Sequence, residues 1–206
     1  MITSLEMQEL EKKAVQEGIS VEILMENAGR KVFEVVKRKY DIEDKHIVIF
    51  AGPGNNGGDG FVAARYFAEE CPVIVIFFGD ENRLSEEARL NYNKIKDYIN
   101  VIKIANKEDL ELFHFQKDLS FILIDSLLGT GVKSTIRELI SSGIDLFNSL
   151  SGTKVAVDLP SGLDPDTGEI HDKSCEVDLI VCFHDLKVGL EKFKKKTIVV
   201  DIGIPR

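Results

Sequence analysis

Hydrophobic positions over the first forty residues recur at helical spacing. Leu5, Leu10 and Ala14 form one run, and Val21, Leu24, Met25, Ala28, Val32, Val35 and Val36 form another. Gly18-Ile19-Ser20 interrupts the pattern. Ser20 suits an N-cap, because its hydroxyl can accept from an N–H that the first helical turn leaves unpaired. Two helices are therefore expected ahead of the first strand.

Beyond residue 40 the pattern changes to short β-branched and aromatic runs that alternate with amphipathic stretches. His46–Ala51, Val73–Phe78, Phe121–Asp125, Lys154–Asp158, Leu179–Cys182 and Thr197–Asp201 read as strands, with Asn100–Ile104 a weaker one. Several are apolar almost without a break, as strands covered on both faces must be. Gly60–Glu70, Arg83–Tyr98 and Ser134–Leu150 read as crossover helices. Such alternation specifies a parallel sheet with helices on both sides. The expected fold is α/β: a three-layer αβα Rossmann-like sandwich with a mostly parallel sheet, preceded by two N-terminal helices. No linker, internal repeat or low-complexity tract divides the chain, so residues 1–206 are expected to form a single domain.

Charge and cysteine usage narrow the function. A net charge of −9 is a poor match to nucleic acid, which needs positive charge against its phosphates. An anionic ligand would instead be held by local devices: backbone N–H groups, helix N-termini or a bound cation. Cys71, Cys175 and Cys182 are scattered and form no Cys-x-x-Cys, which fits inert core thiols in a reducing compartment. The N-terminus lacks a basic stretch followed by an apolar core, and no apolar run approaches the roughly 20 residues of a membrane span. A cytoplasmic protein with no membrane partner is expected. The basic patch Lys192–Lys196 reads as a solvated loop face.

In open parallel sheets, ligands sit beyond the carboxyl ends of the strands, so the segments following the strands matter most. The first strand runs into Gly52-Pro53-Gly54-Asn55-Asn56-Gly57-Gly58-Asp59-Gly60. The fourth ends in Asp125-Ser126-Leu127-Leu128-Gly129-Thr130-Gly131, and the fifth in Asp158-Leu159-Pro160-Ser161-Gly162-Leu163-Asp164. These three segments should converge at one edge.

Gly52 to Gly57 matches Gly-x-Gly-x-x-Gly between a strand and a helix, the dinucleotide fingerprint, and Asp80 follows the second strand as an acidic partner could. Two features resist that reading. Pro53 removes a backbone donor, and Asp59 would set a negative charge near a pyrophosphate. A Walker A loop is excluded because no lysine follows Gly57. Asn55 and Asn56 offer amide oxygens and N–H donors while Asp59 only accepts, a set that can grip hydroxyls and a hard cation together. The alternative is a plain glycine turn with Asp59 capping the helix. In the second loop, Gly129-Thr130-Gly131 can form an anion nest, with Lys133 adding charge and Ser134 and Thr135 adding hydroxyls. In the third, Asp158 ends an apolar strand; a partly desolvated carboxyl there has a raised pKa and suits proton transfer. A turn-capping Asp is the alternative.

Together these residues resemble the YjeF N-terminal domain family, the NAD(P)HX epimerases, over nearly the whole chain. Leu24-Met25-Glu26-Asn27-Ala28-Gly29 is similar to the family's N-terminal helix motif, and the Gly52–Gly60 run to its hallmark. Val157-Asp158-Leu159-Pro160-Ser161-Gly162-Leu163-Asp164, Lys187-Val188-Gly189-Leu190 and Asp201-Ile202-Gly203-Ile204-Pro205 follow in the expected order. The resemblance implies a substrate of 6-hydroxylated NADH or NADPH, interconverted between R and S forms at C6. It implies substrate contacts at Asn55, Asn56, Gly57, Gly58, Asp59, Gly129, Thr130, Gly131, Val132, Lys133, Ser134, Thr135 and Asp158. It also implies one potassium ion per subunit, held by Asn56, Asp125 and Ser161, and a homodimer with a functional link to an ADP- or ATP-dependent dehydratase. Lys133-Ser134-Thr135 and Ile136-Arg137-Glu138-Leu139 depart from the family's pattern.

A mechanism follows from the substrate's chemistry. The ring nitrogen assists loss of the C6 hydroxyl, water returns to the opposite face, and Asp158 serves as general acid and base. Two rival readings stand beside it. A non-catalytic scaffold of the same fold would have no need to keep Asn56, Asp125, Asp158 and Ser161 together. An ordinary NAD(P)-dependent dehydrogenase would need a substrate domain, for which the chain is short.

Overall fold

A computed structural model of the chain describes residues 1–111, 120–130 and 136–205. Helix α1 spans Ser4–Gln16 and is started by a reciprocal cap: Glu6 N–H donates to the Thr3 side chain, and Thr3 N–H donates to the Glu6 carboxylate. Helix α2, Val21–Lys39, begins where expected, with Ile23 N–H donating to Ser20 Oγ at 3.2 Å.

Among the described residues seven strands follow: β1 His46–Ala51, β2 Val73–Phe78, β3 Asn100–Ile104, β4 Phe121–Ser126, β5 Thr153–Val157, β6 Leu179–Phe183 and β7 Thr197–Val200. They form one sheet in the order β3-β2-β1-β4-β5-β6-β7, and every adjacent pair is parallel. The intervening helices are α3 Asn55–Phe67, α4 Glu86–Ile95, α5 Lys107–Glu111 and α6 Glu138–Ser149. The strand order reverses between β1 and β4, which is the switch point where open α/β sheets receive ligands.

Strand residues alternate between two apolar cores. Ile47, Ile49, Ala51, Val75, Phe77, Ile124, Val155 and Val181 face the core that holds α1 to α4. Val48, Phe50, Ile76, Phe78, Leu123, Ala156 and Ile180 face the core that holds α6. Both faces are covered, which explains the unbroken apolar runs and confirms the three-layer arrangement.

Several boundaries differ from the sequence reading. Helix α3 starts at Asn55 rather than Gly60, so most of the glycine run is helix and not loop. Glycine propensity argued for a loop, but packing overrides it. A Cβ on Gly57 would lie 1.9 Å from the Gly52 carbonyl oxygen, and one on Gly52 would lie 2.0 Å from that of Leu127. Only glycine lets α3 and the two strand ends approach this closely. Strand β4 reaches Ser126, β5 stops before Asp158 and β7 stops before Asp201. Lys192–Lys196 is not a loop but the end of a 3₁₀ segment, Val188–Lys196; Lys192, Lys194 and Lys195 face solvent, while Lys196 is half-buried and donates to the Val177 carbonyl at 2.7 Å. Cys71, Cys175 and Cys182 are buried free thiols, as expected. No helix among the described residues is long and apolar enough to cross a membrane.

Candidate functional site

Because every strand is parallel, the three polar segments do meet at one edge of the sheet. They form two connected clusters, one on each side of it.

The first cluster centres on Asp125. Successive strand residues alternate faces, so Asp125 joins the α6 side while Ser126 turns toward α3. Asp125 is wholly buried and accepts from Ser161 N–H at 2.7 Å, from Ser161 Oγ at 2.6 Å and from Leu127 N–H at 3.2 Å. Ser161 Oγ also meets the Leu128 peptide, accepting from its N–H at 2.8 Å. Asn56 reaches the same peptide from α3, its Nδ2 donating to the Leu128 carbonyl at 2.9 Å. The structure thus brings together Asn56, Asp125 and Ser161, the three residues expected to ligate a cation. Burial pushes the Asp125 carboxyl up, against the pull of its bonds from Ser161. No ion pair to Asp125 is found among the described residues.

The second cluster centres on Asp158. This residue has φ +64°, a left-handed conformation uncommon for a residue with a side chain. Its backbone N–H still pairs with Val181 across the sheet, at 2.8 Å. Its Oδ1 accepts from Phe183 N–H at 2.9 Å and from Lys187 Nζ at 2.5 Å. Lys187 is wholly buried and also donates to the Phe183 carbonyl at 2.8 Å. Burial, the largest single influence, pushes the Lys187 ammonium down; the charge and hydrogen bond of Asp158 together with Cys182 and Glu11 outweigh it, and the net shift is upward. A partly desolvated carboxyl is expected from the sequence at this position. Asp158 is indeed buried, but as half of an ion pair, because a bare charge there would cost several kcal/mol.

Asp59 is neither a cap nor a loop residue. It lies in the second turn of α3, and Gly54 is the N-cap. Together with Asn55 it lines a cavity of about 590 Å³ that α1 and α2 also line. Burial, then Asp158 and Glu11, hold the Asp59 carboxyl well above the usual carboxylate range, with Lys187 opposing. Gly57 and Gly58 are buried in the first turns of α3. Gly129 packs against Asn56, so closely that a Cβ on the glycine would lie 3.4 Å from the Asn56 Cβ, and Thr130 follows it. Gly131, Val132, Lys133, Ser134 and Thr135 lie outside the described residues. Asp80, considered as a ribose partner, is instead an exposed cap whose side chain accepts from Asn82 N–H.

The N-terminus of α3 has no side-chain cap, so its first N–H groups carry no partner from the helix. Such groups are ready donors to a phosphate. Two residues escaped the sequence reading as site members. Lys187 figured only in a motif and carried no assigned role. Glu11 gave a usable signal: it shares the buried face of α1 with Met7 and Ala14, where a carboxylate is out of place.

The family model of the YjeF-related protein N-terminus matches residues 21–189. The chain belongs to this family. The family match spans both clusters, from α2 through the Lys187 turn. Among its relatives, a bifunctional NAD(P)H-hydrate repair enzyme of Pyrobaculum aerophilum is 40% identical over 99% of this chain and 42% of its own length. An NAD(P)H-hydrate epimerase of Nitrosopumilus maritimus is 38% identical over 99% of this chain and 95% of its own. The chain therefore spans about two-fifths of the bifunctional relative and nearly all of the shorter one. In fold, the crystal structure of yeast ynu0 matches with a TM-score of 0.84 at 24% identity, over 98% of this chain and 87% of that one.

Proposed function

We propose that this chain is an NAD(P)H-hydrate epimerase, interconverting the R and S forms of NADHX and NADPHX in the repair of nicotinamide cofactors. The observation that carries the reading is the buried Asp158–Lys187 pair, set beside the uncapped start of α3 at the sheet's switch edge. The pair offers a proton acceptor in a dry setting, and the helix start offers donors for a phosphate. The nearly full-length similarity to a stand-alone epimerase supports the same conclusion.

The substrate contacts assigned are Asn55 to Asp59, Gly129 to Thr135, and Asp158. Asp158 is the catalytic residue; of the acid and base roles expected from the sequence, its pairing with Lys187 supports the base, which takes the proton from the water that returns to C6.

A potassium ion, one per subunit, fits the first cluster. Asp125 is a single buried carboxylate without a cationic partner among the described residues, and Ser161 and Asn56 add neutral oxygens. Asn56 uses Nδ2 on Leu128, which leaves its amide oxygen for a cation. One charge among neutral oxygens suits a hard monovalent ion. When bound, the ion supplies positive charge beside the substrate's phosphates.

Residues 1–206 form one catalytic domain in this reading. The protein works in the cytoplasm as a homodimer, alongside an ADP- or ATP-dependent dehydratase that consumes the S form.

The test is an R/S mixture of NADHX with an S-specific dehydratase, with and without the chain. Added chain should let the dehydratase consume the whole mixture rapidly, and Asp158→Asn should lose that effect. An R form that lingers equally with and without the chain rejects the reading. Full activity in Asp158→Asn rejects the role given to that residue.

A further inference from the structure

Helix α1 lies over the cavity beside Asp59 and is fastened to the site. Ile2 N–H donates to the Leu186 carbonyl at 2.9 Å, and Val188 N–H donates back to the Ile2 carbonyl at 3.1 Å. Ser4 donates twice to Asp166, from its N–H and its Oγ, at 2.6 Å each. These bonds tie the start of α1 to the turn that carries Lys187 and to the extension of the third loop. Glu11, two turns further along, then lines the same cavity as Asn55, Asp59, Met25, Phe183 and Ile202.

Epimerisation makes a demand that one carboxylate does not meet. Oxygen leaves C6 from one face of the ring and returns from the other. A proton must be given on the first face and taken on the second. Asp158 approaches from the sheet, after β5, whereas Asp59 and Glu11 stand on helices α3 and α1. Resting on the epimerase reading, we propose that Asp59 is the proton donor to the departing C6 hydroxyl, and that Glu11 is the positioning residue that keeps the proton there.

The step balances. Asp59, as the neutral acid, protonates the C6 hydroxyl. The C–O bond breaks with its electron pair on oxygen, water leaves, and the ring nitrogen lone pair closes a C=N bond. Water then adds at C6 from the opposite face, Asp158 takes its proton, and the electron pair returns to nitrogen. Solvent carries the proton from Asp158 back to Asp59.

The charges agree with this division of labour. Glu11, Asp59 and Lys12 line the cavity, and the buried Asp158–Lys187 pair lies close enough to act on both carboxyls; like charges gathered this way disfavour full ionisation. Asp59 holds its proton well above the usual carboxylate range through burial and the charges of Asp158 and Glu11. Glu11 is itself raised, by burial and then by Asp158, with Lys187 opposing. The charged groups that face Glu11 are Asp59 from α3, Asp158 after β5, Lys187 after β6 and Lys12 on its own helix. From α2 the cavity receives Val21, Leu24, Met25 and Ala28, all apolar.

The experiment is the pH dependence of kcat/KM for epimerisation in wild type, Glu11→Gln, Glu11→Asp and Asp59→Asn, with melting curves as a folding control. Asp59→Asn should lose about 100-fold or more in kcat, the scale of a general acid. Glu11→Gln removes a negative neighbour of Asp59, so its alkaline limb should move to lower pH by roughly one unit. KM should change less than about twofold, and Glu11→Asp should restore the wild-type limb. Superimposed wild-type and Glu11→Gln profiles, or an equal loss at every pH, overturn the proposal. A protonated-carboxyl infrared band should also be present in wild type at neutral pH and lose intensity in Asp59→Asn. Its absence from wild type overturns the proposal whatever the Glu11 variants do. An inactive wild type defeats the epimerase reading and this inference with it. An active wild type with an unmoved limb defeats this inference alone.

Discussion

Lys187→Met tests the centre of the site through stability. Lys187 is wholly buried, and its ammonium donates to Asp158 Oδ1 at 2.5 Å and to the Phe183 carbonyl at 2.8 Å. Methionine fills similar volume but leaves the Asp158 carboxylate with one donor, Phe183 N–H. Breaking a buried pair from one side costs about 3–5 kcal/mol, because the remaining charge stays desolvated. Each kcal/mol moves the midpoint of a domain this size by roughly 2–4 °C, so melting should fall by about 10 °C at neutral pH. Adding Asp158→Asn removes the stranded charge while keeping an acceptor for Phe183 N–H. The double variant should therefore recover about half of the loss, a coupling on the order of 2 kcal/mol. The pH dependence has a definite sign. Lys187 has a folded-state pKa raised above its ordinary value of 10.5. Its stabilisation is then fully present below the unfolded value and is lost as pH rises through the folded one. The gap between wild type and Lys187→Met should narrow in strong alkali and hold steady from pH 6 to about 9. Thermal unfolding followed by circular dichroism measures each quantity. A single-variant loss below about 1 kcal/mol, or strictly additive single and double variants, would refute the reasoning.

Two further outcomes are expected. Gly57→Ala places a Cβ 1.9 Å from the Gly52 carbonyl oxygen, a backbone atom that cannot rotate away; it should cost roughly 3 kcal/mol or more. Gly54→Ala, whose Cβ would meet nothing within 4 Å, should stay within about 1 kcal/mol of wild type, and urea unfolding of the pair separates packing from composition. Potassium at about ten times its dissociation constant should stabilise the protein by roughly 1.4 kcal/mol. That gain should vanish in Asp125→Asn and with tetramethylammonium; differential scanning calorimetry in matched ionic strength would show equal melting in both salts if no site exists.

The hydrophobic pattern by itself determined the layers. Two helical runs ahead of His46, then apolar runs alternating with amphipathic ones, leave a parallel sheet covered on both faces as the arrangement that buries them. The polar residues ending β1, β4 and β5 were legible for a related reason: parallel strands all deliver their carboxyl ends to one edge. Local sequence also fixed the start of α2, since Ser20 needs only its own turn to act as a cap.

Other features depended on contacts between residues far apart in the chain. Asn55 to Gly60 became helix despite their glycines, because α3 packs on the strand ends where a side chain would strike backbone. Asp125 and Ser161, 36 residues apart, became partners only when β4 and β5 paired. Lys187 lies 29 residues from Asp158, and no spacing rule links a buried lysine to a carboxylate across two strands. Glu11 went unassigned, although an acid on the buried face of α1 was a usable signal; its neighbours came from α3 and from the segments after β5 and β6. Periodicity records which face a residue occupies, since that is set by its own helix or strand. Which charges share a cavity is set by long-range packing, and that is where the tertiary structure alone decided the chemistry.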